Sequence, residues 1–416
     1  MSAGAASARA GQRDQLRRLS VLIAIACVDM LGVGIVFPQI PLYGIKLGAT
    51  PEMIGWVIAA FSIAQLLSSP VWGRISDHYG RRPALLAGLL AETVAFAIFG
   101  LANTVWLLFL SRLIQGAGGG TTGVIQAYVT DTVKASDRTR ALGWLSAATN
   151  FGVMLGPVLG SLAFHLGHQV PGLIAAALCL VNAVFAWKWL PESRPPLAPG
   201  AAPRPRKPVW HAALQVVRHP GGLVPRLIWI YAAGMLGFTA MGSILAIYLN
   251  DVFGVTEANI GYVFLYLGAL SVVMRLLFLG PIVHRLGEPW TLRVGTILLT
   301  LGLLAYPLAH DWWTLAPVMA LVPIGTALLF PATTALMSHA SEQSEVGMTL
   351  GVAQTFAGLS RVLAPLLATA ALQRVGPSAP FLLAGGIVAL VGVLAFRLDA
   401  THLREAESRP GPEEVA

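Results

Sequence analysis

Five ionisable residues stand where the surrounding sequence has almost none. Asp29, Glu92, Arg112, Arg275 and Arg361 each interrupt a run of aliphatic and aromatic residues. A charge in the middle of such a run costs about 2.5–3.5 kcal/mol even on lenient insertion scales, so it has to be paired, solvated or functional. Asp29 comes nine positions into its run, roughly 13 Å deep at a helical rise. That is close to the midplane of an apolar core about 30 Å thick. An acid there is suited to taking a proton from one side and releasing it to the other; alternatively it bonds helix ends or polar neighbours as a structural group. Arg112 lies shallower, where it either pairs with an acid or snorkels to the surface. For Glu92 a structural and a carrier role stay equally open. Arg275, near the end of its run, reads as a gate residue or a snorkelling one, and Arg361 as a partner for an anionic ligand group or for Asp77.

A second constellation is the turn "GRISDHYGRRP", Gly73 to Pro83, between two apolar runs. It is too short to be a domain, so it holds two helix ends together. Gly73 suits a close helix approach and Gly80 a tight backbone. Asp77, just ahead of the next helix, suits the positive end of its dipole. Arg81 is four residues from Asp77 and carries a fork that can bridge two carboxylates. The alternative is that these charges only set topology and cap a helix.

The elements that must position these residues are legible from composition. Of 416 residues, 56% are apolar and 11% charged, with a mean hydropathy of +0.71. Soluble domains carry about 25% charged residues. The apolar residues fall in blocks of the length that spans a bilayer as a helix. Twelve blocks are predicted, at 20–43, 53–72, 83–101, 106–129, 141–166, 171–190, 225–250, 259–281, 290–309, 313–339, 348–373 and 379–397. The fold class is therefore an all-α membrane protein of twelve transmembrane helices, its first run retained as a span. The predicted organisation is a tail (1–18), a six-helix bundle (19–190), a Pro-, Gly- and Arg-rich linker (191–224) carrying a short surface helix, a second six-helix bundle (225–398) and a tail (399–416), both tails lacking order.

The net charge of +8 needs no nucleic acid. All but five of the 27 basic residues fall in the tails, the linker, alternate connections or the span ends that border them; Lys46 and Arg374 alone lie in the opposite connections. The positive-inside rule then places both termini and the linker in the cytoplasm of a cell (inner) membrane protein. Cys27 and Cys179 read as small buried apolar residues, with no disulfide framework or metal set. There is no GxxxxGK[ST] loop, nucleophile elbow or catalytic carboxylate pair, so neither an ATPase nor an enzyme is expected, nor any cofactor.

The two halves are copies. "IGW" at 54–56 matches "IGY" at 260–262, Gly73 matches Gly280, and Pro157 in "GVMLGPVLG" matches Pro365 in "GLSRVLAPLLA". The offset stays at 206 to 208 throughout. Duplicated six-helix units belong to secondary transporters, whose substrate site lies between repeats near mid-membrane. In the second copy His284 stands where Asp77 would be expected.

These motifs resemble those of the major facilitator superfamily, and within it the twelve-helix drug/proton antiporters. "GRISDHYGRR" resembles the helix 2–3 loop signature, "LGVGIVFPQIP" a first-helix signature, "SRLIQG" the fourth-helix arginine motif and "GVMLGPVLG" the fifth-helix antiporter signature. The tetracycline/proton antiporters look nearest: Asp29 precedes Pro38 by nine residues, and Arg112 precedes Asp131 by nineteen. The resemblance implies that Asp77, Arg81 and Asp131 form a cytoplasmic gate and that Arg112 tunes the coupling acid. It implies a proton-coupled, monomeric exporter of a lipophilic or amphipathic small molecule, as in multidrug efflux and antibiotic resistance. A metabolite, lipid or organic-anion carrier, and a receptor or scaffold without transport, are the alternatives. Tetracycline exporters carry a third-helix acid one turn beyond Glu92, where this chain has Ala95; Glu92, on roughly the same face, is the candidate substitute, its structural and carrier roles equally open. Gly152, Gly156, Pro157 and Gly160 are expected to give a tight, bent contact between halves. Gln126, Asn150, Phe238, Tyr266, Gln354 and Arg361 are the substrate-cavity candidates.

Overall fold

A computed structural model describes residues 2–134, 137–193, 209–342 and 345–396. The C-terminal tail and linker residues 194–208 lie outside the described residues. Fifteen α-helices account for almost all of them. They are α1 (Ser2–Val36), α2 (Gln39–Lys46), α3 (Pro51–Tyr79), α4 (Arg81–Gly100), α5 (Val105–Gly118), α6 (Thr121–Thr132), α7 (Arg138–Phe164), α8 (Val170–Trp189), α9 (Val209–Arg218), α10 (Leu223–Phe253), α11 (Ile260–Val273), α12 (Leu279–Ala305), α13 (Trp312–Ala340), α14 (Val346–Arg374) and α15 (Ala379–Phe396).

The twelve expected spans are present, several of them broken. The first is interrupted at Phe37–Pro38 and resumes as α2. The fourth is split into α5 and α6 around Gly119 and Gly120. The eighth runs from α11 through a π-helical turn, Met274–Phe278, into the start of α12. Gly287, with φ 75° and ψ 165°, breaks α12, and the part beyond it is the ninth span. The N-terminal segment, expected to lack order, continues α1 back to Ser2. The linker does carry a surface helix, α9.

Helix form follows from the apolar environment: with no water to bond, each span must satisfy its own backbone. Ends are closed by side chains, as where Asp311 and Thr314 form a reciprocal capping box at the start of α13. The backbone N–H and hydroxyl of Thr314 hold the Asp311 carboxyl below its usual titration range.

Two compact units result. One gathers 1–49, 60–204 and 255–265; the other gathers 50–59, 205–254 and 266–416. Each holds one six-span repeat, except that the repeats exchange the first turns of their second helices, α3 and α11. The core of the first unit is built on Leu22, Ile25, Leu85, Leu89, Ile125 and Tyr128. Large apolar side chains such as Leu67, Trp106, Val181 and Leu390 are exposed, as surfaces facing acyl chains should be.

The fifth-helix glycines pack inside this unit, a correction to the expected contact between halves. A side chain at Gly156 would put Cβ 2.6 Å from Cα of Gly34 on α1. Gly152 and Gly160 likewise leave no room beside the carbonyls of Cys27 and Ile35. Their smallness is spent on bringing α7 against α1. The Pro157 carbonyl and, one turn on, Ser161 meet the exchanged segment at Gly261.

Gly156→Ala should therefore force two helix backbones apart and destabilise the protein by about 1–3 kcal/mol. Gly123→Ala, where no atom lies within 4 Å, should be neutral or stabilising. Thermal unfolding of the two variants in detergent measures the contrast, and equal melting temperatures would contradict the packing argument.

Candidate functional site

Three of the five in-span charges come together in the first unit. Asp29 on α1, Glu92 on α4 and Arg112 on α5 are 1%, 3% and 4% exposed. Thr121, the first residue of α6, lies between the acids: its Oγ1 is 3.5 Å from both Asp29 Oδ2 and Glu92 Oε1. The break in the fourth span is what places it there, because α6 starts afresh at Thr121. A hydroxyl has one proton, so it donates to one carboxyl at a time. Asp29 Oδ1, Glu92 Oε2, Gln115 Oε1 and Arg112 Nη2 have no hydrogen-bond partner. The Arg112 guanidinium lies 5.3 Å from the Phe99 ring centre and 5.9 Å from that of Phe96. This is a dry, closely packed group whose charge is balanced only when one acid holds a proton.

The Cys179 sulfur also joins the acids: the ligand atoms of Asp29, Glu92 and Cys179 lie within 4.8 Å of one another. Two hard donors and one soft donor could in principle hold a metal, but the neighbouring guanidinium opposes a cation. In the sequence Glu92 carries no preference, Cys179 reads only as a small buried apolar residue, and Thr121 and Gln115 do not stand out. The glycine run 118–120, where the fourth span breaks, was the available signal.

The "GRISDHYGRRP" turn forms the expected ion network. Arg81 is buried; its Nε lies 2.8 Å from Asp131 Oδ2, and its Nη1 lies 2.9 Å from Asp77 Oδ1 and 2.9 Å from Ser76 Oγ. One fork thus joins the ends of α3 and α6 to the start of α4. The expectation that Asp77 faces the helix dipole is corrected, since Asp77 lies in the last turns of α3. Glu192, just beyond α8, takes that position. It accepts from the backbone N–H of Arg81 (2.8 Å), Arg82 (3.0 Å) and Ser193 (2.9 Å). Gly80 adopts φ 102°, and a Cβ there would lie 2.5 Å from Glu192 Oε2. Gly73 is half-buried within α3; the close approach comes from Gly116 and Gly120, which abut Phe61 and Trp72 on α3.

At the other end of the spans, both stray basic residues are paired. Lys46 Nζ lies 2.8 Å from Glu257 Oε1, and Arg374 Nε lies 2.8 Å from Glu52 Oε1. The Glu257 carbonyl accepts from Ser161 Oγ (2.8 Å) and Gln39 Nε2 (3.2 Å), and Ser161 Oγ accepts from Gly261 N–H (2.8 Å). None of these carboxylates or hydroxyls stood out in the sequence.

The cavity candidates divide. Gln126 is exposed and Asn150 bonds back to Ser146 O at 2.8 Å. Phe238 is exposed, and the Tyr266 hydroxyl donates to Ala316 O at 2.9 Å. Gln354 donates to Tyr231 Oη at 3.2 Å, with Arg361 half-buried on the same helix.

Comparison with known proteins places this geometry. The sequence profile of the Major Facilitator Superfamily matches residues 22–278 and 275–415. The chain is 28% identical over 365 residues to the class C tetracycline resistance protein of Escherichia coli, covering 85% of this chain and 89% of that one. It is 28% identical over 381 residues to multidrug resistance protein 2 of Bacillus subtilis, covering 90% and 92%. Among solved structures, a bacterial homologue of the human lysosomal transporter Spinster matches with TM-score 0.77 and 14% identity, over 95% of this chain and 98% of that one. The human organic anion transporter MFSD10 matches with TM-score 0.67 and 21% identity, over 92% and 99%. At these identities the structures establish the fold.

Glu192→Ala should leave the first N–H groups of α4 uncapped and cost about 1 kcal/mol. Gly80→Ala should cost more, through its positive φ and the Glu192 contact. A double-mutant cycle by thermal unfolding should show the pair to be less than additive, because removing Glu192 relieves the clash. Strict additivity would mean that the contact carries no energy.

Proposed function

The chain belongs to the Major Facilitator Superfamily of secondary transporters, and from that premise we propose that it exports a lipophilic or amphipathic small molecule in exchange for protons, by alternating access. The observation that carries this reading is the buried group of Asp29, Glu92, Arg112 and Thr121. Two ionised carboxylates beside one guanidinium would leave a net negative charge in a low-dielectric interior; one bound proton neutralises it. The group therefore stores a proton while sealed and exchanges it when water reaches either side. Two relatives bear the names of tetracycline and multidrug resistance proteins, which supports export of drug-like compounds. The Ala95 position argues against tetracycline itself as the specific substrate.

The energetics suffice. A potential of 100 mV supplies about 2.3 kcal/mol per charge, and a tenfold gradient costs about 1.4 kcal/mol. One proton thus supports on the order of a fortyfold gradient of a neutral solute.

In this reading Arg81, Asp77 and Asp131, with Glu192 behind them, latch the cytoplasmic side. The bundles 19–190 and 225–398 move about the linker, with both termini cytoplasmic in the cell membrane, and the chain works as a monomer. A receptor or scaffold without transport has no use for two acids in mid-span.

Purified protein in liposomes with an imposed pH gradient tests the proposal against a panel of lipophilic dyes and antibiotics. Asp29→Asn should abolish uphill uptake, by tenfold or more, while substrate exchange at equal pH persists. Glu92→Gln should weaken coupling and lower the pH at which transport is half-maximal. Asp77→Asn should slow turnover with substrate affinity retained. Undiminished uphill uptake by Asp29→Asn would remove proton coupling through this group.

A further inference from the structure

The second copy of the charged turn keeps the backbone of the first and inverts its charges. Gly287 has φ 75° and ψ 165°, close to the φ 102° and ψ 163° of Gly80. At an offset of 207, Gly287 matches Gly80, Glu288 matches Arg81 and His284 matches Asp77; at 208, His339 matches Asp131. These offsets fall within the 206 to 208 that relates the repeats. Where Arg81 Nε meets Asp131 Oδ2 at 2.8 Å, His339 Nε2 meets Glu288 Oε1 at 3.6 Å. The acid now stands at the start of the third helix of its repeat and the base at the end of the fourth, both within the second unit. Ser341, two residues past His339, extends the contact: its Oγ lies 2.9 Å from Thr349 Oγ1 on α14.

The inversion changes what the contact responds to. A guanidinium keeps its charge at any pH a cell reaches, whereas histidine gains or loses its charge between pH 5 and 8. Carboxylates ordinarily stay ionised through that range. The contact is thus an ion pair on the acid side and a weak polar contact on the alkaline side. The helix dipoles act in the same sense. Glu288 opens the ninth span directly after Gly287, and His339 lies in the last turn of α13; an anion at the first end and a cation at the second are each favoured. In the first copy both signs oppose the dipoles, and Glu192 supplies the cap. With a third of its side chain exposed, His339 stays within reach of solvent protons. The other charged groups on the elements packed around the pair are His284 and Arg285 in the turn, Arg275 on the π-turn, Arg293 on α12, Arg226 on α10, and Glu342 and Glu345 beyond α13. Arg293 reaches α15, its Nε donating to Ala395 O at 3.1 Å, and lies over the Trp290 ring. Of these groups only His284 shares the histidine range.

We propose that Glu288 and His339 form a pH-operated latch, the titratable counterpart of the Arg81–Asp131 contact. It ties the start of the ninth span to the end of the tenth when the histidine carries a proton, and releases them when the proton leaves. The sign follows from the residue types: the attraction is full while the imidazole is charged and is lost as pH rises through its ionisation. The use of the latch rests on the proton-coupled cycle proposed above. Six spans separate the two turns, so both open on the side that the basic residues assign to the cytoplasm. Acid there tightens the second unit and slows a carrier that would bring in more protons. The first latch, built on an arginine, is indifferent to the same change.

Hydrogen–deuterium exchange of the full chain in phosphatidylcholine nanodiscs tests the latch without a substrate. Amide protection, corrected for the intrinsic effect of pH on exchange, is compared at about pH 6 and about pH 8 in segments 284–293 and 335–342. Wild type should be about threefold better protected at the lower pH, the scale of a partly exposed ion pair. Residues 73–83, held by Arg81, should show no such rise. His339→Gln and Glu288→Gln should each abolish the rise, and His339→Arg should give high protection at both pH values. His284→Gln should keep the rise. Melting temperatures check that the variants fold, and His339→Arg, which retains the contact, carries the test where its removal unfolds the chain. No rise in wild type, a rise that survives His339→Gln, a rise lost in His284→Gln, or a His339→Arg protein that still responds to pH would each overturn the latch. Uphill uptake by Asp29→Asn is a separate measurement, so failure of proton coupling and failure of the latch are separately visible.

Discussion

A charge inside an apolar bundle has no solvent to answer it, and the architecture of the first unit is organised around that shortage. Asp29 and Glu92 are sealed within hydrogen-bonding reach of one threonine hydroxyl, with Arg112 alongside. Such a group is tolerable only at near-zero net charge, which couples its protonation to whether water can reach it. α7 packs closely on α1 at Gly156 and Gly34. The break of the fourth span at Gly119 and Gly120 brings the hydroxyl in. Packing and chemistry thus meet at one buried group of ionisable side chains.

The same accounting governs the ends of the spans, where helix termini expose unpaired backbone groups. Glu192 answers the N–H groups that open α4, which leaves Arg81 free to reach Asp77, Ser76 and Asp131 with its side chain. Gly80 permits both, since its backbone turns at φ 102° and no Cβ obstructs the carboxylate. At the opposite end the ion pairs Lys46–Glu257 and Glu52–Arg374 each tie an exchanged helix start into the unit that receives it. Contacts of this sort are worth little each when exposed, and a transporter needs them weak enough to break in every cycle.

Duplication gave the two repeats one plan, and their charges then diverged. The first repeat carries a pair of acids with one arginine; the second carries two arginines with no acid in the same helices.

The sequence alone determined the twelve spans, the duplication and the identity of the main charged residues. Blocks of some twenty apolar residues can satisfy their backbone in a membrane only as helices, and an ion within such a block stands out against that background. The partnership of Arg81 with Asp77 was equally legible, because four residues across one short turn keep a guanidinium and a carboxylate within reach. Other features depended on which helix faces which, and helix facing is set by packing across long sequence separations. Thus Glu192 is 111 residues from Arg81, and Thr121 is 92 from Asp29. The inward turn of the third-helix Glu92 and the α1-facing direction of the fifth-helix glycines belong to the same class. A periodic apolar helix offers several equivalent faces, and only the tertiary structure decided which of them became the interior.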